Sequence, residues 1–264
     1  MEPVLDLKQD GPVIWATMNR PDRLNALNGA LVDALRQFFT DLYWRRDVRV
    51  VVLRGAGRAF CAGLDLKDRR AENGRRTTGE ALTSQRRISE IVIAMRRCPQ
   101  PIVALIDGPA AGGGFALALA SDIRVATPSL RMNAAFIRIG LSACDIGVSY
   151  FLPRMIGASA ASEFMLTGRF IDADKAAALG LVSRIVEPDA LEAEGHGLVA
   201  DLLHATPLGL RLTKEALNHA IDAQSLEAVI AMEDRNQVLS SQSEDFDEGV
   251  AAFLEKRRPR YAGE

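Results

Sequence analysis

Apolar and polar positions change period several times along the first 130 residues, and each change marks an element. "PVIWATM" (12–18) is a β-rich run. "NGALVDALRQFFTDLYW" (28–44) sets Leu31, Leu35, Phe38 and Leu42 on one helical face, with Asn28 placed to cap it. "VRVVVLRG" (48–55) is a continuous β-branched run, as expected of a strand buried on both faces. The glycine-rich "GAGRAFCAGLD" (55–65) follows as a loop. The next stretch, "KDRRAENGRRTTGEALTSQRR" (67–87), is too charged for a core and is expected to be a mobile loop entering a helix that ends at "RRCPQP" (96–101). "PIVALID" (101–107) is another buried strand, "GPAAGGG" (108–114) turns into the helix "FALALAS" (115–121), and "DIRVAT" (122–127) is again a strand. Repeated β-then-α units imply crossovers and a mainly parallel sheet. From about residue 190 the pattern is helical, with Pro207 opening one helix and two more near 225–242 and 244–257. The reading is an α/β core over 1–190 and a helical C-terminal region over 191–264.

Composition narrows the partners. The 32 Lys+Arg nearly cancel the 34 Asp+Glu, so no global charge argues for nucleic acid or an acidic membrane. The most apolar stretch, 101–121, is broken by Asp107 and several glycines and reads as buried strand and helix rather than a membrane span. The N-terminus has no basic segment leading into an apolar one, so no secretory signal is expected. Cys61, Cys98 and Cys144 are an odd, scattered set, which fits a reducing compartment without disulfides. A cytoplasmic protein is the expectation.

Several chemistries are excluded. "GAGRAF" opens like a dinucleotide loop, but Phe60 stands at the third glycine position and "CAGLD" follows instead of a helix. Gly112–Gly114 lack the Lys-Ser/Thr of a phosphate loop. There is no G-x-S-x-G, and His196, His204 and His219 all lie in the late helical part. No metal-ligand spacing is present, so no metal is expected.

What remains is a pair of glycine-marked turns. "AGGG" runs into a helix, so the amide of Gly113 would sit at a helix N-terminus, where orphan donors and the dipole favour negative charge. "CAGLD" would present the amide of Leu64 in a similar way. Two convergent N–H groups suit an enolate or a tetrahedral oxyanion. On spacing alone, the glycines could equally serve close helix–sheet packing.

"NRPDRLNAL" (19–27), "GRAFCAGLDLK" (57–67), "GPAAGGGFALALASDIRVA" (108–126), "LTGRFIDADKAAALGLVSRIV" (166–186) and "EGVAAFLEKRRPRY" (248–261) together resemble the enoyl-CoA hydratase/isomerase (crotonase) family over essentially the whole chain. The resemblance implies a spiral of ββα units with a helical trimerisation region, hence a homotrimer or a dimer of trimers. It implies an acyl-CoA substrate, with coenzyme A entering as part of the thioester and no separate cofactor. The Leu64 and Gly113 amides would form the oxyanion hole. Arg23, Ala62, Asp65, Leu66 and Lys67 would line the CoA groove, and Phe253 and Lys256 would reach CoA, often from a neighbouring subunit.

The chain departs from the family's hydratases where they carry two water-handling glutamates. Ala116 and Phe136 stand there, and neither can deprotonate water. Phe136 becomes a candidate for the acyl pocket. Attention passes to Asp145, alone among apolar and small residues in "IGLSACDIG" (139–147). Burial disfavours a charged carboxylate, raising its pKa into the range of a general acid/base. Other branches of the family carry a catalytic Asp in such a segment, so proton transfer through Asp145 and double-bond isomerisation are the implied chemistry. A second role for Asp145 is capping the helix that follows it, and Cys144 beside it reads as buried packing. Alternatives are hydration in fatty-acid β-oxidation, a dehalogenase-like use of Asp145 that lacks its histidine, and a catalytically weak acyl-CoA-binding protein. RNA binding is disfavoured because Arg36, Arg45 and Arg46 form no lysine comb on the first helix.

Overall fold

The computed structural model describes residues 2–71 and 77–263. β1 (Leu5–Asp10) and β2 (Val13–Met18) form an antiparallel hairpin, and α1 (Gly29–Leu42) follows, capped by the Asn28 side chain accepting from the Leu31 amide. β3 (Val50–Gly55) leads through the glycine loop to α2 (Leu66–Ala71) and α3 (Thr78–Arg97). Then come β4 (Ile102–Ile106), β5 (Pro109–Ala111), α4 (Gly113–Ala120), β6 (Ile123–Ala126) and β7 (Arg131–Asn133). After α5 (Val148–Ile156) and α6 (Ala158–Thr167), β8 (Ile171–Asp172), α7 (Ala173–Ala178) and β9 (Arg184–Ile185) complete the sheets. α8 (Leu191–Leu203), α9 (Pro207–Ala220), α10 (Leu226–Ser241) and α11 (Glu244–Leu254) end the chain.

The main sheet runs β1-β2-β3-β4-β6-β9 and is parallel from β2 onward; a second sheet runs β5-β7-β8. Successive units thus place one strand in each layer before their helix: β4 with β5, then β6 with β7. The preceding unit follows suit through β3 and Cys61, which forms an isolated parallel bridge to Ala110. This is the expected spiral of ββα units.

Strand alternation divides the main sheet into two buried faces. Ile14, Val51, Leu53, Ile102 and Ala104 meet α1, α3 and α4 in the larger core cluster, whereas Val13, Trp15, Val50, Val52, Val103 and Leu105 meet Leu198 and Val199 of α8. The first helix beyond residue 190 therefore covers the core sheet. α9 is pegged to the core by Lys214, whose buried ammonium pairs with Asp122 at 2.8 Å and donates to the carbonyls of Gln100 (2.8 Å) and Met95 (3.1 Å).

The polar stretch departs from expectation. Residues 66–71 are helical, and α3 begins at Thr78 rather than emerging late from a loop. A capping box fixes that start: the Thr77 side chain accepts from the Glu80 amide, and Glu80 returns a bond to the Thr77 amide at 2.8 Å. The part of the expected loop at 72–76 lies outside the described residues.

Candidate active site

The glycine loop and the N-terminus of α4 meet because their backbones need almost no side-chain space. A methyl on Gly114 would collide with the Cys61 carbonyl, and one on Gly63 would lie 2.7 Å from the Ala111 oxygen and 3.3 Å from the Gly113 nitrogen. Gly63 also has φ +90°, which disfavours any side chain. The turn is held on both sides. Cys61 bridges the residues on either side of Ala110, donating to the Pro109 carbonyl (3.1 Å) and accepting from the Ala111 amide (3.0 Å). On its other flank Leu27 donates to the Gly63 carbonyl (2.7 Å) and accepts from the Asp65 amide (3.0 Å). Among the described residues, the amides of Leu64 and Gly113 have no partner. α4 is buried on every side, so little solvent screens the positive end of its dipole. The glycines permit close packing, and that packing leaves the two amides without a partner among the described residues.

The segment 20–27 braces this arrangement. Asn25, fully buried, accepts from the Arg20 amide (2.8 Å) and donates to the carbonyls of Ala59 (2.7 Å) and Ala56 (2.9 Å). Arg20 pairs with Asp65 at 2.9 Å and donates to the Ala26 carbonyl. Asp65 also accepts from the amides of Lys67 (3.1 Å) and Asp68 (3.2 Å), capping α2. Burial works against its charge, but the Asp68 amide, the Arg20 guanidinium and the Lys67 amide outweigh it and hold its pKa below the usual carboxylate value. The Asp65 carboxylate is thus engaged inside the turn through both oxygens, Oδ1 by the two amides and Oδ2 by Arg20. Leu66 and Lys67 are exposed beyond it, and Ala62 is half-buried. Arg23 is exposed on a short turn beside Leu24, whose carbonyl accepts from Ala62 at 2.9 Å.

Asp145 lies one residue from a side chain that touches the α4 terminus. The Ile146 Cδ1 sits 3.7 Å from where Gly113 would carry a Cβ. Asp145 Oδ1 accepts from the Gln85 side-chain amide (2.6 Å) and from the Ile146 amide (2.8 Å), and Oδ2 has no partner among the described residues. Burial raises the pKa of Asp145, with the Ile146 and Gln85 hydrogen bonds opposing it in part. Ile146 itself has φ +36°, an uncommon conformation for a β-branched residue that costs on the order of 1–3 kcal/mol. Two expectations fail here. Asp145 does not cap α5, whose N-cap is Gly147 without any side-chain bond, and Cys144 is exposed rather than packed inside.

The two positions expected to lack carboxylates are close by and apolar. Ala116 is fully buried one turn into α4, donating to the Gly112 carbonyl, and Phe136 is 7% exposed with its ring edge 3.5 Å from a Cβ placed on Gly112.

A family-wide sequence profile described as Enoyl-CoA hydratase/isomerase matches residues 8–264. The chain belongs to the enoyl-CoA hydratase/isomerase family. A relative from Mycobacterium tuberculosis named "Probable enoyl-CoA hydratase EchA12" is 41% identical over 248 residues, covering 92% of this chain and 87% of its own. The 1,2-epoxyphenylacetyl-CoA isomerase of Escherichia coli is 33% identical over 263 residues, covering 100% and 99%. The crystal structure of an enoyl-CoA hydratase from Bacillus anthracis superposes with a TM-score of 0.93 at 32% identity, covering 99% and 100%. The ββα spiral is thus the family's crotonase fold.

Within this enoyl-CoA hydratase/isomerase chain, α11 stands apart from the site segments just described. Asp245 near its start is buried and accepts from the amides of Ala262 (2.6 Å) and Gly263 (3.2 Å), and its charge acts on Arg49 at the opening of β3, the end opposite the glycine loop. Phe253 is 83% exposed and Lys256 has φ +54° in the turn that ends the helix. Among the described residues no cluster of His, Cys, Asp and Glu could hold a metal, and no helix is long and apolar enough to cross a membrane. Sequence reasoning missed Arg20, Asn25 and Gln85.

Proposed function

We propose that this chain is an acyl-CoA isomerase that moves a carbon–carbon double bond through a thioester enolate, with Asp145 as its one acid/base. The observation that carries this reading is the Asp145 carboxylate: it is half-buried, anchored through Oδ1 and, among the described residues, without a partner at Oδ2, while Ala116 and Phe136 offer no second acid. In the forward step Oδ2 takes a proton α or γ to the thioester carbonyl. The C–H electron pair enters the conjugated system, and negative charge gathers on the thioester oxygen. The Leu64 and Gly113 amides donate to that oxygen, each worth about 3–4 kcal/mol to the transition state. Protonated Asp145 then returns the proton at the other end of the system, so the double bond shifts and no water is consumed.

The name of the Escherichia coli relative, an acyl-CoA isomerase, supports this class of chemistry. Arg23, Ala62, Leu66 and Lys67 line the CoA groove in this reading, and Phe253 and Lys256 serve a neighbouring copy in a trimer, an assembly that the exposure of Phe253 favours. The chemistry needs no cofactor beyond the CoA of the substrate, and a cytoplasmic setting suits three free thiols. Hydration is the second reading, favoured by the names of several relatives.

Mass spectrometry of 2-, 3- and 3,5-unsaturated acyl-CoA thioesters in heavy water separates the two. Isomerisation gives a shifted double bond and no added water, with deuterium entering where protonated Asp145 exchanges with the solvent before returning its proton, and Asp145→Asn removes the shift while thioester binding persists. Addition of a whole water, or full turnover by Asp145→Asn, would overturn the proposal. Tight thioester binding with neither a shifted double bond nor any exchange would leave an acyl-CoA-binding protein in its place.

A further inference from the structure

Asp145 receives its side-chain hydrogen bond from a residue 60 positions away. Gln85 lies in the second turn of α3, and Val92, seven residues on and therefore on the same helical face, approaches Gly147, its Cγ1 lying 3.4 Å from where that residue would carry a Cβ. α3 thus contacts the 145–147 segment twice, once with an apolar side chain and once with an amide. The amide is specific. Nε2 donates to Oδ1, the oxygen already engaged by the Ile146 N–H, so both donors converge on one oxygen, and among the described residues Oδ2 has no partner. The donors are also what holds the carboxylate's orientation, because Ile146 and Gly147 that follow it are both left-handed and Asp145 makes no cap to α5. Among the described residues no charged neighbour contributes to the titration of Asp145. On α3, Arg87 pairs with Asp33, and on α5, Arg154 pairs with Asp222.

We propose that Gln85 is a positioning residue for proton transfer: its Nε2–H fixes Oδ1 of Asp145, which makes Oδ2 the oxygen that exchanges the substrate proton and favours the ionised base in the resting site. This deepens the isomerase reading and rests on it. A donor to a carboxylate stabilises its charged form. Its removal therefore moves proton uptake to higher pH and loosens the carboxylate, while substrate binding, which uses other groups, is spared.

The test uses Gln85→Met, which keeps length and removes the donor, and Gln85→Glu, which keeps shape and adds a like charge. Each is compared with wild type and Asp145→Asn. Two readouts are taken: α-proton exchange of a 3-enoyl-CoA in heavy water across pH, and the ¹³C titration of the Asp145 carboxyl. For Gln85→Met we expect the acidic limb of kcat and the carboxyl titration to move up together by about one pH unit, the worth of one charge-assisted hydrogen bond. We expect kcat to fall about tenfold or more with KM within about twofold, and Gln85→Glu to move the limb further. An unmoved carboxyl titration in Gln85→Met, or a loss of kcat without a shift of the limb, would overturn the role of Gln85 while leaving Asp145 in place. Wild-type turnover by Asp145→Asn, or neither exchange nor a shifted double bond with the wild type, would instead remove the reading beneath it.

Discussion

Replacing Gly63 by alanine should disable the site without unfolding the protein. The residue sits at φ +90°, where a Cβ costs about 1–2 kcal/mol in the left-handed region. The new methyl would also lie 2.7 Å from the Ala111 oxygen, a backbone atom of β5 that has no flexible end to swing away. Overpacking of this kind adds about 1–3 kcal/mol. Destabilisation of roughly 2–5 kcal/mol follows as the sum of the two. The function should suffer more than the fold, because the second contact of that methyl, at 3.3 Å, is the Gly113 nitrogen itself. The strain is relieved only by parting the two turns that carry the free amides. Displacing one oxyanion donor lowers kcat by about 10²–10³. Gly11→Ala supplies the control: its φ is +53° and nothing lies within 4 Å of its Cβ, so it bears the backbone cost alone and should keep full activity. Exchange kinetics on a 3-enoyl-CoA, with urea unfolding of both variants, decide the matter. A folded Gly63→Ala protein turning over within threefold of wild type would refute the argument that this contact sets the amide pair.

Lys214→Met should cost about 1–3 kcal/mol in urea unfolding, since it removes the donor to the Met95 and Gln100 carbonyls and the ion pair of the partly exposed Asp122, which keeps its Ile102 amide; an unchanged stability would show the peg to be redundant. Asp145→Asn should raise Tm at neutral pH even as it removes activity. The folded state holds the Asp145 proton more tightly than the unfolded chain, so its ionisation weakens the fold as pH rises through the raised pKa; Asn keeps the Gln85 and Ile146 bonds without that charge. The Tm gain should vanish in acid, below the unfolded carboxylate's pKa. A thiol reagent at pH 8 should label Cys144 rapidly and spare Cys61 and Cys98, which are buried, with burial pushing the Cys61 thiol up to about 12; equal labelling of all three in the native protein would contradict the fold around the glycine loop.

Long elements with a clean period were legible in the chain: α1 through Leu31, Leu35 and Leu42, β3 through its valines, and the C-terminal helices within a few residues of their ends. β5, β7, β8 and β9 were not, because two or three residues cannot display a period. α3 hid its first half behind arginines and polar residues, although Thr77 and Glu80 had the spacing of a capping box. In the site, the glycines announced the close approach of two turns, and Asp145 announced itself by its apolar company. Gln85 gave no such signal: a glutamine in a charged stretch is ordinary until folding carries it 60 residues along the chain to one carboxylate oxygen. Arg20 and Asn25 were hidden for a related reason, since their partners are carbonyls and a carboxylate supplied by later segments. The left-handed backbone at Ile146, between Asp145 and α5, is a conformation that no residue-type preference foretells.

Ala116 is wholly enclosed by α4's neighbours, with Phe115 and Leu117 packed on either side and no solvent reaching it. A glutamate introduced there would start from a position with no solvent beside it, and burial disfavours its charged form. Installing two-carboxylate water chemistry on this scaffold is therefore a many-step redesign rather than a point change. An engineer would have to hollow out the flank of α4 first and add the acid afterwards, because in the reverse order every intermediate would carry a buried, unpaired charge.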